Sequence, residues 1–260
     1  MDIPTRFCRI LLQINLFSAG YTAGTGNKNM INGGIAMSDM NKEYRLERMN
    51  NYAGTAVNER TYNMTIGLTL LWGVLINIVM ATFFTYQILS LNYILVIVLY
   101  FAGTLGCSFL VHKSDNPAMS FAGFTGMAVS MGLLLTFYVT AFSGNSVAYA
   151  FIATGLVTVI MVILSMLYPA FFQNLGRTLF ISLLGCILVE LVGSLLLGLP
   201  LTFIDYIVAL IFCGYIGLDW NRAQQYPKTV DNAIDSAADI YLDVVNLFVR
   251  ILSITGRRRD

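Results

Sequence analysis

Ionisable side chains set inside apolar runs are the residues of this chain best placed to do chemistry. Asp219 closes one run in the stretch GYIGLDWNRAQ, Asp243 stands within DIYLDVVNLFVRIL, Glu190 is at the middle of CILVELVGS, and His112 and Lys113 close a further run. In hydrocarbon such groups are costly, and by default they mark an ion path, a proton relay or a polar contact between helices. Asp231, Asp235, Asp239 and Asp243 recur at every fourth residue of the last segment, which also carries Asn246 and Arg250. Each step of four drifts only ~40° around a helix, so neighbours share a face while the ends of the series stand ~120° apart. Like charges at that spacing destabilise a helix, so the deeper ones are expected to be protonated or paired. The series reads either as an acidic stripe lining a cation path or, for Asp231 and Asp235, as a solvated first turn favoured by the helix dipole. The second reading is preferred for those two and does not extend to Asp243. Glu190 has no Lys or Arg near it in sequence. An apolar surround disfavours its charged form, so it is expected to be neutral at pH 7, serving as a hydrogen-bond donor between helices or as part of an ion path.

These residues need elements that hold them in a membrane. Of 260 residues 57% are hydrophobic and only 11% charged, against about a quarter charged in an ordinary soluble domain. A spanning helix takes ~20 mostly apolar residues, and runs free of Lys and Arg cover 65–88, 93–112, 118–142, 146–168, 178–198 and 200–218. Short connections with Pro, Gly, Asn or Ser separate them, as turns require. Glycines such as Gly103, Gly106, Gly123, Gly126 and Gly132 permit close helix contact. The seventh segment, 229–255, is long enough to span but too polar to face lipid on all sides. It either lies at the centre of a bundle, lies at the interface, or dips in and returns. The central placement is the expectation, because it alone hides Asp239, Asp243 and Asn246 from lipid. The fold class is therefore all-α: a polytopic membrane protein, a bundle of about seven helices around a polar last helix, with the lipid bilayer as its first partner. Tyr93, Tyr168 and Trp220 at helix ends suit the interfacial belt.

Residues 1–60 form an N-terminal extension, 61–255 the bundle and 256–260 a basic tail. Residues 1–50 lack a periodic apolar pattern and are expected to be poorly ordered, or to precede a true start near Met37 or Met40. A chain begun at Met40 is then expected to insert as well as the longer one. Lys42, Arg45, Arg48 and Arg60 precede the first helix, and Lys113, Arg177, Arg222 and Lys228 fall on the same side when helices are counted. That asymmetry predicts a cytoplasmic N-terminus, in the inner membrane if the source is bacterial. A fully spanning last segment would put Arg257–Arg259 on the other side, a conflict that a re-entrant segment would remove. The net charge of +1 gives no reason to expect nucleic acid. Cys8, Cys107, Cys186 and Cys213 form no CxxC or Cys/His cluster, so no metal site or cofactor is expected. No P-loop, HExxH or GxSxG pattern is present, and no enzyme activity is expected.

The run AADIYLDVVNLFVRIL (Ala237–Leu252) resembles the C-terminal signature of the Bax inhibitor-1 family, the transmembrane Bax inhibitor motif proteins, in a bacterial-type member. Asp219 at the close of the sixth helix and the positive loop followed by NPAMSFAGFTGMAVSMG support the likeness, which covers about residues 60–255. The resemblance implies a seven-helix bundle and a pH-sensitive calcium leak, in which two aspartates share a proton and close the pore. By motif these are Asp219 and Asp243. It also implies a basic latch at the end of the second helix. The family's Arg is absent there, and Lys113 or His112 stands near its place. Asp239, Asn246 and Glu190 are additional candidates for the ion path. Two other classes stay open: a regulator that binds a membrane protease or chaperone, and a proton-coupled secondary transporter.

Overall fold

The computed structural model describes Leu11 and residues 56–196 and 202–257. The expectation of poor order over residues 1–50 thus lies outside the described residues. Leu11 alone is described there; it is buried, and its carbonyl accepts from the Tyr100 hydroxyl at 3.4 Å.

Polar caps start most of the helices at the turns expected from sequence. The Asn58 side chain accepts from the Thr61 N–H and opens α1 (Glu59–Phe83). Phe84 ends it, and a short α2 (Thr85–Leu89) follows. Asn92 caps α3 (Tyr93–Lys113), and Asn116, with Pro117 in the first turn, caps α4 (Pro117–Val139). Ser143 caps α5 (Gly144–Leu167). The next helix, α6 (Pro169–Glu190), starts nine residues before the expected 178 and runs into a π-helical turn, Leu191–Leu196. Two long helices complete the set, α7 (Thr202–Gln225) and α8 (Val230–Thr255), the latter capped by Thr229. At these five capped starts, of α1, α3, α4, α5 and α8, a side-chain acceptor satisfies N–H groups that the helix itself leaves open.

Six of these helices are long and apolar enough to cross a membrane: α1, α3, α4, α5, α6 with the start of its π turn, and α7. They turn large apolar side chains outward, among them Leu68, Leu71, Ile94, Ile152, Leu156 and Leu210. Such a surface suits a hydrocarbon solvent and not water. The seventh, α8, has 26 residues, or ~39 Å of helix, enough for the ~30 Å hydrocarbon layer. It packs against α1, α3, α4, α5 and α7 and is buried along nearly its whole length. The central polar helix expected from sequence is therefore present. Small residues set its surroundings. A Cβ on Gly123 would stand 2.9 Å from a Val111 methyl and 3.1 Å from the Cys107 carbonyl, so α3 and α4 pack backbone to backbone.

The far end of α8 decides between crossing and returning. The Arg257 carbonyl accepts from the Ser143 N–H at 2.9 Å, and the Arg257 N–H donates to Ser146 Oγ at 2.9 Å. Ser143 caps α5 and Ser146 lies in its first turn, at the end of the bundle opposite Lys113 and Lys228. The last segment runs from one end of the bundle to the other without turning back. Hydrogen bonding at the α4–α5 turn thus outweighs the charge asymmetry that made a return attractive.

Candidate functional site

Helix length alone sets Asp219 and Asp243 at different depths, since Asp243 lies ~20 Å into its helix. Two local features close the gap. Helix α7 continues to Gln225, past the expected end at 218, which carries the chain ~9 Å beyond Asp219. The following residues to Thr229 are non-helical, and Thr229 itself is extended (φ −115°, ψ 157°), so they add up to ~3.3 Å each. Lys228 fixes this turn: its Nζ donates to the carbonyl of Gln224 at 2.9 Å, capping α7, and lies 4.4 Å from the centre of the Tyr62 ring. Burial pushes the Lys228 ammonium below its usual value, and the charge of Glu59 opposes that. The Val57 N–H donates to the Lys228 carbonyl at 2.8 Å, tying the turn to the start of α1.

With the turn so placed, the carboxyls of Asp219 and Asp243 come within electrostatic reach of one another across the α7–α8 seam. Asp243 is 0% exposed, and neither of its oxygens has a partner in ordinary hydrogen-bond geometry. Asp219 Oδ1 accepts from Arg222 Nη1 at 2.9 Å, one turn on in α7. On the other side Asp239, one turn before Asp243 on α8, also acts on the pair. Asp239 Oδ1 in turn lies 3.1 Å from His112 Nε2, at the end of α3. The groups form a line from Arg222 through Asp219, Asp243 and Asp239 to His112. The hydroxyl-bearing Tyr215, one turn before Asp219, is within electrostatic reach of both members of the pair.

The protons this line must hold can be counted. His112 Nδ1 is 2.8 Å from the Ser108 carbonyl, which only accepts, so Nδ1 carries a hydrogen. The contact of Nε2 with a carboxyl oxygen then requires one more proton, held on the imidazole or on Asp239. The remaining carboxyls, Asp219 and Asp243, face one permanent cation, Arg222. Two carboxyls this close in a poorly hydrated place do not both ionise easily.

The other sequence candidates fall outside this line. Lys113 points its ammonium toward the Phe109 ring, 5.9 Å from its centre, so of the two latch candidates only His112 reaches an aspartate. Asn246 Nδ2 donates to the Leu242 carbonyl of its own helix at 2.8 Å. Asp231 and Asp235 are not a solvated turn: both are buried, and Asp231 Oδ1 accepts from Ser120 Oγ of α4 at 2.6 Å. The packing of α4 over the start of α8 replaces water there. Glu190 is not an isolated neutral acid either. Arg250, sixty residues on in the chain, meets it at two points, Nη1 to Oε1 at 2.5 Å and Nη2 to Oε2 at 2.9 Å. Arg250 Nη1 is also 2.6 Å from Asp205 Oδ1, and Ser253 Oγ donates to Asp205 Oδ2 at 2.9 Å.

Sequence reasoning passed over Arg222 and Asp205 as site residues. Arg222 was legible as the i+3 partner of Asp219, whereas Asp205 is in the first turn of an apolar helix, where an acid usually answers the helix dipole. Among the described residues, no group of three or more His, Cys, Asp or Glu could hold a metal ion. An apolar cleft of about 470 Å³ between α1, α4, α5 and α8 has Tyr241 and Val244 in its wall but none of these carboxyls.

Residues 55–260 match the family described as Inhibitor of apoptosis-promoting Bax1. The chain belongs to the Bax inhibitor-1 family. Similar proteins include Bax inhibitor 1 of Schizosaccharomyces pombe, 35% identical over 130 residues, which are 48% of this chain and 47% of that protein. The inner membrane protein YbhL of Escherichia coli K12 is 27% identical over 138 residues, 49% of this chain and 59% of that one. An uncharacterized membrane protein of Streptococcus pyogenes serotype M3 is 27% identical over 133 residues, 48% and 58% of the two chains. The matched stretches thus span about half the length of these relatives. Membership accords with an integral membrane protein built of apolar helices.

Proposed function

We propose that this chain is a pH-sensitive cation leak, with calcium as the permeant ion, closed by a proton shared between Asp219 and Asp243. The observation that carries the reading is that these two carboxyls act on one another across the α7–α8 seam, in a site where Asp243 is wholly buried and its oxygens have no hydrogen-bond partner among the described residues. With one shared proton the O–H···O⁻ bond is short and strong and ties α7 to α8. Loss of that proton leaves two like charges that repel, parts the seam and presents hard oxygen ligands of the kind calcium takes. Arg222 stabilises the ionised form of Asp219, which assigns the shared proton chiefly to Asp243. His112, through Asp239, is the latch on the α3 side.

The sign follows from the proton. The closed state is the protonated one, so flux rises as pH rises. The test is calcium entry into vesicles containing the purified chain, measured across pH 5–9. Asp219→Asn and Asp243→Asn are each expected to abolish the pH dependence, whether the path is left open or shut. If both keep the wild-type profile, the shared-proton gate is wrong. Vesicles without calcium flux at any pH would favour a regulator of a membrane protease or chaperone, and saturable uptake of a solute would favour a proton-coupled transporter.

A further inference from the structure

The cleft between α1 and α5 takes no part in the leak reading. Helix α1 packs on α4 and α8, and α5 packs on α7 and α8, and a gap of about 470 Å³ stays open where α1 and α5 stand apart. Small residues of α5 leave the room: a Cβ on Gly144 or Gly155 would meet nothing within 4 Å. The rim belongs to the outward-facing apolar surface, with Leu71 65% and Phe151 47% exposed. The floor is the central helix, through Tyr241, Val244, Val245 and Phe248. From Ile240 to Arg250, Val244 is the one residue that the bundle does not bury.

We propose that this cleft binds one acyl chain of a bilayer lipid, which passes between α1 and α5 and lies against α8. The wall offers such a chain an apolar surface, because its polar members are turned to protein. Thr154 Oγ1 donates to the Ala150 carbonyl at 2.7 Å and Thr158 Oγ1 to the Thr154 carbonyl at 2.8 Å, each back into its own helix. The Tyr241 hydroxyl accepts from Asn77 Nδ2, across α1 and α8. Asn77 Oδ1 stands beside α4, 2.8 Å from where a Cβ on Gly132 would be. Among the described residues no charged side chain stands in the wall. A polar solute would lose its hydration there with little in return, whereas a hydrocarbon chain loses nothing.

Length and continuity point to a chain from one leaflet. On α5 the wall runs from Gly144 to Thr158, ~21 Å of helix, against ~15 Å for half of a ~30 Å hydrocarbon layer. Gly144 opens α5 at the end of the bundle away from Lys228, so the chain comes from the leaflet on that side and reaches past the middle of the bundle. The volume falls within the ~300–1,000 Å³ of ordinary small-molecule sites. The mouth is continuous with the surface of the spanning helices that hydrocarbon covers, so the chain enters from the bilayer without crossing water. Walls without a neighbour would forfeit dispersion contacts that the chain supplies. The bound chain touches α8 at Val244, the residue after Asp243. The site stands without the leak reading.

The test is photolabelling of the full chain in vesicles of phosphatidylethanolamine and phosphatidylglycerol, with a tracer lipid that carries a diazirine midway along one acyl chain. Peptide mapping is expected to find label on Val244, Val245 or Phe248 of α8, beside label on the outward-facing Leu68, Ile152 and Leu156. Gly155→Phe, whose ring would take the place of the chain, is expected to cut the α8 label several-fold and to leave the outer label unchanged. Outer label with none on α8 would mean that a second copy or another segment of this chain keeps lipid out, and overturns the proposal. Label on α8 that persists in a folded Gly155→Phe chain shows entry by another way and overturns it too. If that variant does not fold, Gly155→Leu takes its place with the same expectation. Labelled α8 in vesicles that pass no calcium at any pH would sink the leak reading and leave the lipid site standing.

Discussion

His112 meets Asp239 through Nε2 at 3.1 Å, joining the end of α3 to the middle of α8. Because Nδ1 is committed to the Ser108 carbonyl at 2.8 Å, the ring cannot exchange its two nitrogens to accommodate loss of the bridging proton. On the leak reading, loss of the bridging proton opens this contact in the same direction as the Asp219–Asp243 pair. Calcium flux is expected to rise in two proton-linked steps. His112→Gln should remove one of them and leave the other. Lys113→Gln should leave both, since that ammonium is turned toward Phe109. A one-step profile in the wild-type chain, or an unchanged profile in His112→Gln, sinks the latch.

The second expectation concerns stability at the far end of the bundle. Removing Arg250 leaves two buried carboxylates without their guanidinium, a loss of ~3–5 kcal/mol by the usual cost of breaking a buried pair. Glu190→Gln keeps an acceptor and leaves Asp205 in place, so its cost is about 1–3 kcal/mol. Thermal unfolding in detergent, at calcium-free neutral pH, orders the variants. A Glu190→Gln chain as stable as wild type would restore the neutral acid expected from the apolar run alone.

A third concerns the α3–α4 seam. The space a Gly123 side chain would need is taken by Val111 and by the Cys107 carbonyl. Backbone on one side of that contact cannot rotate away, so Gly123→Ala is expected to cost ~1–3 kcal/mol, as overpacking does. Gly106, with nothing near its missing Cβ, is the control: Gly106→Ala should be tolerated. Equal stabilities of the two variants would show that the helices part freely here.

Last, the Tyr62 hydroxyl lies within 2.9 Å of the Ala223 carbonyl and 3.3 Å of Ser236 Oγ, linking α1 to α7 and α8 at the end nearest the acidic pair. Tyr62→Phe should cost about 1 kcal/mol and loosen that end, raising calcium flux at acidic pH. Unchanged acidic flux would show that α1 takes no part in closing the seam.

Sequence made the crossings plain because each apolar run lacks Lys and Arg and is bounded by Asn, Ser or Pro, the very residues that cap the helices. The central place of the last helix was legible from Asp239, Asp243 and Asn246, which have no inexpensive position against lipid. What stayed hidden depends on long-range partners. Nothing within CILVELVGS announces an arginine sixty residues away, so Glu190 read as neutral. Asp231 and Asp235 read as solvated because the local sequence does not show α4 lying over them. The level of Asp219 with Asp243 depended on how far α7 continues and on an extended turn, neither of which follows from apolar runs.

The helix that fills the centre is made after α1 to α7. Synthesis runs from the N-terminus, so α1 to α7 enter the bilayer before the residues that answer their polar groups exist. Until α8 arrives, Glu190 and Asp205 lack Arg250, and the Tyr62 hydroxyl lacks Ser236. The arriving segment carries four aspartates and an arginine, and it must slide into an interior prepared by protein rather than partition into lipid on its own hydrophobicity. Insertion of α8 is therefore the most demanding of the eight, and a chain stalled before residue 229 keeps its polar interior unfilled.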